Sequence, residues 1–218
     1  MTPPEDGEQH WIDISIPVDA ATPPWPGDTP FSCRWTWDMA RGDSVNVSTT
    51  GGSPHVGTHA DAPFHVDPRW ATADAMPLPP FAGPATVVDV SGQDGPLTSS
   101  ALGMGDRVEG GRLLVRTGRS IAQGSFPERW PWIDPDEISR LLAGGLRLLG
   151  VDAPSVDSRE STSLDVHRAL FAGGAFVLEN LDLTNVTAGR YYLSAFPVRF
   201  AGLDAAPVRA VLRSLNDA

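Results

Sequence analysis

The sequence is poor in cysteine and in long apolar runs, and each scarcity excludes a class of protein. Cys33 is the only cysteine, so the chain can form neither an intrachain disulfide nor a cluster of thiolate ligands. Any bound metal would therefore take nitrogen and oxygen ligands. No segment approaches the roughly 18 consecutive apolar residues that a membrane span needs, which argues against a membrane protein.

Basic residues are also scarce. The chain has 16 Lys and Arg but 27 Asp and Glu, which gives a formal net charge of -11. Phosphate contacts require clustered Lys and Arg, which this chain lacks, so no nucleic-acid partner is expected. Residues 1–10, MTPPEDGEQH, are acidic and polar and lack the basic and apolar segments of a secretory signal. We therefore expect a flexible N-terminal segment over residues 1–10 and a cytoplasmic protein.

The length of 218 residues suits one domain with a sizeable core, which we place at residues 11–218. The 21 prolines and 22 glycines divide the chain into short elements. Alternating or compact apolar runs predict strands at 11–18, 44–50, 85–90, 111–118, 146–152 and 174–183. Helical periodicity predicts helices at 134–145, 163–174 and 206–215, the first capped by Asp134 with Pro135 in its first turn. The expected class is a strand-rich single domain of mixed α and β structure.

Three of the five histidines lie in one stretch, SPHVGTHADAPFHV, residues 53–66. Its chemically active side chains are His55, His59, Asp61 and His65. In an extended chain side chains alternate, so these four odd-numbered positions project to one side. Imidazole and carboxylate suit zinc and manganese, and an aspartate can bridge two ions. A lone histidine is more often an ordinary hydrogen-bonded residue, but this cluster predicts a metal centre.

A zinc protease is one alternative, since His55 and His59 have the spacing of two ligands on a protease helix. Pro54, Gly57 and Pro63 make a helix improbable in this stretch. The glutamate that such a helix carries beside its first histidine is also missing. These features argue against the protease.

Two residues outside the stretch could complete the ligand set. His167 lies on the second predicted helix, and Glu179 lies near the end of a predicted buried strand. An unpaired carboxylate is costly to bury, and a metal removes that cost. Each residue alone is weak evidence, because a helix histidine is more often at the surface and a strand glutamate is more often salt-bridged.

Several segments accompany the histidine stretch, namely TPPWPGD (22–28), LLGVDAPSVD (148–157), LDVHRAL (164–170), FVLENL (176–181) and FAGLDAAPVRAVL (200–212). Together they resemble the metal-dependent cyclase family, and within it the bacterial kynurenine formamidase (arylformamidase) branch. The pattern His-x-Gly-Thr-His-x-Asp-x-Pro-x-His at residues 55–65 marks the whole family. WPGD and AGLDAAPVRAVL favour the formamidase branch. The resemblance extends from about Trp11 to the C-terminus.

The resemblance implies a swivelling β/β/α domain, usually a homodimer, that hydrolyses N-formyl-L-kynurenine to L-kynurenine and formate. It implies two zinc ions per chain, with manganese as the alternative metal. The implied ligands are His55, His59 and Asp61 for one ion, and Asp61, His167 and Glu179 for the other, with Glu179 contacting both. His65 matches the catalytic acid/base and Trp25 a substrate-contacting tryptophan, although an isolated tryptophan is more often part of the core.

Three departures from the family pattern bear on substrate preference. Ala153 stands where relatives often have Thr, Asn180 stands where they often have Gly, and residues 119–137 form a variable loop. None of the three removes an implied ligand.

Two other functions remain open at the level of sequence. An amide hydrolase of the same fold, such as an isatin hydrolase-like enzyme, would keep every ligand and change only the pocket. A metal-binding structural or sensor domain without turnover is the second. His65 argues against that domain, because purely structural binding has no need of a further polar residue beside a filled ligand shell.

Overall fold

The computed structural model describes residues 10–105 and 107–215 of the chain. Of the predicted N-terminal segment 1–10, all but His10 lies outside the described residues. The strands are β1 Trp11–Asp13, β2 Ser32–Trp37, β3 Val47–Gly51, β4 His59–Asp61, β5 Ala82–Asp89, β6 Pro96–Leu97, β7 Arg112–Arg116, β8 Trp132–Ile133, β9 Leu148–Val151, β10 Phe176–Glu179, β11 Gly189–Ser194, β12 Ala205–Pro207 and β13 Val211–Ser214. The α-helices are α1 Ser99–Leu102, α2 Pro135–Ala143 and α3 Asp165–Ala172.

Nine of the strands form one mixed sheet in the order β1-β13-β11-β5-β7-β9-β10-β4-β12. Strands β5, β7, β9 and β10 run parallel to their neighbours in this group, and the outer strands are antiparallel. The central strands β9 and β10 are buried at every position, as parallel strands covered on both faces usually are. Helix α3 packs against α2 and β10. The sheet therefore brings β10 and β4 together beside the start of a helix.

The sheet curls so that the chain after β1 meets the ends of β10 and β4. Ser15 forms an isolated bridge with Leu181, which follows β10. The Ile16 N–H donates to Thr58 Oγ1 at 2.9 Å, and the Thr58 hydroxyl donates to the Asn180 carbonyl at 2.6 Å. These bonds join the residue before β4, Thr58, to the residue after β10, Asn180, and to the chain after β1.

The mixed, strand-rich class predicted from the sequence is confirmed. Predicted strands at 85–90, 111–118, 146–152 and 174–183 correspond to β5, β7, β9 and β10, and the first two predicted helices correspond to α2 and α3. Asp134 caps α2 as expected, since its carboxylate accepts the Asp136 N–H at 3.0 Å. Among the described residues, no helix is both long enough and apolar enough to cross a membrane.

The predicted helix at 206–215 is wrong, because most of these residues lie in β12 and β13 and the rest connect or follow the two strands. Their apolar positions fit a helical pattern, but they also fit a period of two. Ala206, Val208, Ala210 and Leu212 are all buried, which is the alternation of a strand with one covered face. Pairing of β12 with β4 and of β13 with β1 and β11 selects the extended form.

Two other strand predictions were only partly right. The predicted strand 11–18 shortens to β1, because the chain bends toward Leu181 at Ser15. The alternating segment 44–50 gives β3, but every residue of β3 is exposed, although such alternation is typical of a strand with one covered face. Strand β3 pairs with β2 alone, in a separate two-stranded sheet. Strands β2, β6, β8 and β11 were not predicted, and β4 lies in a stretch that was expected only to be extended.

Candidate metal centre

Strand β4 sets two of the candidate ligands on one face of the sheet. His59 and Asp61 flank Ala60 in this three-residue strand, and alternate side chains point to the same face. In the antiparallel register His59 lies opposite Glu179 of β10, so the side chains of His59 and Glu179 also share a face. The side chains of His59, Asp61 and Glu179 are almost fully buried, as is Ala60. The strand register alone therefore gathers an imidazole and two carboxylates.

His167 enters from the first turn of α3, and Asp157 fixes its place. The Asp157 carboxylate accepts the backbone N–H groups of Val166 and His167 at 3.0 and 3.1 Å, as a capping side chain does at a helix start. It also accepts His167 Nδ1–H at 2.6 Å. The other ring nitrogen, Nε2, then lies 3.0 Å from Asp61 Oδ2 and 3.2 Å from Glu179 Oε1.

The five predicted ligands form two groups that share Asp61. In the first, His55 Nδ1 lies 3.0 Å and His59 Nε2 lies 3.2 Å from Asp61 Oδ1, and the two nitrogens are 3.2 Å apart. In the second, His167 and Glu179 surround Asp61 Oδ2. Glu179 Oε2 also lies 3.7 Å from His59 Nε2. Within each group the potential ligand atoms lie within 4.8 Å of one another.

The donor set fits two divalent cations. Asp61 Oδ1 is buried and has no hydrogen-bond partner among the described residues, although two ring nitrogens lie close to it. Buried polar atoms without a partner are rare in proteins, and an ion is one explanation for such an atom. Imidazole nitrogens and carboxylate oxygens are the ligands that zinc accepts. An aspartate with one oxygen in each group is suited to bridging.

Each of the three histidines in these groups has an acceptor at its outer nitrogen, which is the ring nitrogen on the side away from Asp61. Asp157 holds His167, the Gly57 carbonyl oxygen lies 2.9 Å from His59 Nδ1, and Asp204 Oδ2 lies 2.9 Å from His55 Nε2. With a metal bound, these partners would hold a proton on each outer nitrogen and leave each inner nitrogen free to act as a ligand. The same arrangement orients histidine ligands in metalloproteins.

The electrostatic environment favours positive charge at the centre. Burial alone lowers the pKa of His55, but nearby carboxylates, first among them Asp61, raise it to about 10. Burial likewise opposes a proton on His167, yet hydrogen bonds to carboxylates, chiefly Asp157, raise its pKa well above the usual range. Burial would raise the pKa of Asp61, but the charges of His55 and His59 hold it well below its usual value. Divalent cations would satisfy the same carboxylates.

His65 lies beside the two groups without joining either. It ends a short turn, Pro63–His65, and its side chain is partly exposed. Its ring centroid is 4.6 Å from that of His55 and 5.9 Å from that of His167. Its Nδ1 lies 3.5 Å from Asp204 Oδ2. The position suits a group that exchanges protons with a molecule bound above the centre.

A cavity of about 270 Å³ opens onto the centre. Its lining residues are Trp25, Asp28, His55, His59, His65, Pro154, Ser155, Leu164, His167, Glu179 and Asn180. Trp25 packs edge-on against Phe126 and Trp130, with ring centroids 5.4 and 5.9 Å apart. Trp130 is buried, and its indole N–H donates to the Asp157 carbonyl at 2.8 Å. Part of the segment 119–137, which also contains β8 and the start of α2, thus supports both the aromatic wall and the residue that holds His167.

The structure places all seven residues predicted from the sequence around this one cavity, although Asp61 lies beneath its lining. Sequence reasoning did not assign Asp157, Asp204 or the Gly57 carbonyl. Asp157 and Asp204 both lie in segments that supported the resemblance, but their contacts join residues ten and 149 positions apart. Only the folded chain shows which histidine each carboxylate meets.

Comparison with known proteins gives matches over most of the chain. The Cyclase family model matches residues 12–158. Kynurenine formamidase from Salinibacter ruber (strain DSM 13855 / M31) is 43% identical over 210 residues, which cover 94% of this chain and 98% of that protein. A solved structure of a potential metal-dependent hydrolase with cyclase activity superposes with a TM-score of 0.80 at 26% identity, covering 94% of this chain and 98% of that one. Isatin hydrolase A from Ralstonia solanacearum has a TM-score of 0.78 at 20% identity, covering 94% and 91%, which shows a shared fold.

Proposed function

Because the chain belongs to the Cyclase family, we propose that it hydrolyses N-formyl-L-kynurenine to L-kynurenine and formate. The observation that carries this proposal is the pair of ligand groups sharing Asp61 at the floor of an aromatic-walled cavity. The 43% identity to a kynurenine formamidase over nearly the whole chain supports the choice of substrate.

We propose that two zinc ions occupy the centre, with manganese as the alternative. His55, His59 and Asp61 would hold one ion, and Asp61, His167 and Glu179 would hold the other. When bound, such a pair supplies a water of lowered pKa and stabilises negative charge on a carbonyl oxygen. The outer hydrogen bonds of the three histidines keep these side chains in place without further rearrangement.

His65 would supply the proton that the reaction needs. Breaking the formamide C–N bond expels an aniline nitrogen, a poor leaving group unless it is protonated as the bond breaks. An imidazole changes its charge near neutral pH, so it can take a proton from the attacking water and give it to that nitrogen. His65 lines the cavity beside both ligand groups, within reach of a substrate whose carbonyl lies over the centre.

Trp25 would provide a flat apolar wall for the aromatic ring of the substrate. Its side chain lines the cavity and is about 39% exposed, so one part of the indole remains free while Phe126 and Trp130 hold another. Aromatic rings contribute large contact area and prefer stacked or edge-on partners. The three-ring cluster keeps this wall fixed.

We also propose that the chain forms a homodimer. The hairpin of β2 and β3 exposes Trp35 and Trp37, each more than half exposed, together with Val47. An apolar surface of this kind usually marks an interaction site. Sedimentation equilibrium should give twice the chain mass, and a single-chain mass over the micromolar range would contradict the proposal.

The decisive experiment is an assay of the purified full chain with N-formyl-L-kynurenine, followed through the absorbance of kynurenine. We expect turnover that stops when a chelator removes the metal and returns when zinc is added. Isatin, tested in parallel, should be a poor substrate. Hydrolysis of isatin alone would assign the isatin hydrolase-like function, and a metal-loaded chain that hydrolyses neither would indicate a non-catalytic domain.

A further inference from the structure

Asp204 is a carboxylate at the candidate centre to which the reaction described above gives no role. Its Oδ2 lies 2.9 Å from His55 Nε2 and 3.5 Å from His65 Nδ1. One oxygen atom therefore faces both a candidate metal ligand and the candidate proton carrier. The side chain is partly exposed, so it lies at the rim of the buried ligand groups.

The backbone fixes Asp204 in this place. Its carbonyl oxygen accepts the Ala62 N–H at 2.8 Å, and the next residue begins β12, where Ala205 pairs with Asp61. Asp204 is thus held directly against the segment that carries Asp61 and His65. The contact between the carboxylate and the two histidines follows from the sheet and does not depend on a flexible loop.

We propose that Asp204 is a positioning residue that holds His55 for metal binding and His65 for proton transfer. The proposal rests on the function assigned above. It requires that a single carboxylate serve two imidazoles, one through a hydrogen bond and the other through an ion-pair contact.

For His55 the argument concerns the proton on the outer nitrogen. A carboxylate at Nε2 keeps the proton there and leaves Nδ1 as the ligand atom, and such partners typically change metal affinity about 10- to 100-fold. His59 and His167 have their own acceptors, Gly57 and Asp157. The loss of Asp204 should therefore weaken binding through His55 alone.

For His65 the argument concerns the charge that it acquires during the reaction. An imidazole that has taken a proton is stabilised by an adjacent carboxylate, which also keeps the ring in the required orientation. The separation of 3.5 Å is longer than a normal hydrogen bond. The contribution to His65 is therefore electrostatic, and it becomes largest when the ring is protonated.

The same three side chains could instead bind a metal ion of their own, since potential ligand atoms of His55, His65 and Asp204 lie within 4.8 Å of one another. That arrangement would require His55 to bind an ion through each ring nitrogen and to give up its remaining proton. The hydrogen bond to Asp204 explains the same geometry with a proton kept on Nε2, so that His55 would bind one ion through Nδ1. A third zinc ion per chain that disappears in Asp204→Asn would overturn our proposal.

The first test measures zinc affinity by competition with a chromophoric chelator. Asp204→Asn keeps the shape of the side chain and removes its charge, and we expect zinc to bind about 10- to 100-fold more weakly. Asp28→Asn is the matched control, because Asp28 lines the same cavity and its carboxylate accepts the Thr29 N–H. The control should bind zinc like the wild type. Equal affinity in Asp204→Asn and the wild type would overturn the role at His55.

The second test is a double-mutant cycle of turnover at saturating zinc. Asp204→Asn should lower kcat in the wild-type background and have little further effect in His65→Ala, because residues that act together are not additive. Fully additive losses would overturn the role at His65. A wild-type chain that does not hydrolyse N-formyl-L-kynurenine would refute the proposed function, while the zinc competition would still decide the role of Asp204.

Discussion

Replacing Asp61 with alanine is expected to deplete both of the proposed metal ions and to abolish activity. Each Asp61 oxygen belongs to a different ligand group, so the substitution removes a ligand from both ions at once. It also removes a negative charge between two cations, which then repel each other with less compensation. Elemental analysis should give about two zinc ions per wild-type chain and far fewer in Asp61→Ala.

Single histidine variants provide the comparison for Asp61. His55→Ala and His167→Ala each remove a ligand from only one group, so each should retain more metal than Asp61→Ala. Circular dichroism should accompany the metal measurement, because β4 lies between β10 and β12 and a folding defect would mimic metal loss. A folded Asp61→Ala variant with the metal content of the wild type would contradict the bridging role.

His65→Ala is expected to retain both ions and the fold while kcat falls roughly a hundredfold to ten-thousandfold, the usual contribution of general acid–base catalysis. His65 belongs to neither group that contains Asp61, so metal content should not change. KM should change much less than kcat, because the role proposed for the imidazole lies mainly in the transition state. Steady-state kinetics and elemental analysis of the same preparation would check both expectations.

The choice of leaving group gives a sharper test of His65. An ester or an activated anilide departs with little need of a proton, so His65→Ala should impair these substrates less than N-formyl-L-kynurenine. An equal defect for good and poor leaving groups would show that His65 only positions the substrate. Loss of an ion from His65→Ala would show instead that it is a ligand.

The local sequence was sufficient to identify the stretch at residues 53–66 as the core of a candidate metal centre. The period of two places His59 and Asp61 on one face of β4, and imidazole with carboxylate is a recognisable ligand set. His167 and Glu179 could be placed on a helix and a buried strand, and both elements are present as α3 and β10. Their assignment to the same centre came from the resemblance, since no spacing in the sequence relates them to Asp61.

The errors arise where distant residues decide the structure. The segment 206–215 is compatible with helix and with strand, and pairing with β4, β11 and β1 decides between them. The acceptors Asp157 and Asp204 could not be assigned for a similar reason. An aspartate is an ordinary surface residue in sequence, and it gains its role only when the fold brings a histidine to it.

Asp157 has a consequence for the stability of the whole protein. Its carboxylate accepts two backbone N–H groups in the first turn of α3 and also holds the imidazole of His167, so the proposed uptake of ions would be thermodynamically linked to helix formation. A ligand that binds only the native state stabilises it by about 4 kcal/mol when its free concentration is a thousandfold above Kd. Resistance to heat in this chain should therefore depend on the supply of metal, and the melting temperature should rise with free zinc even without substrate.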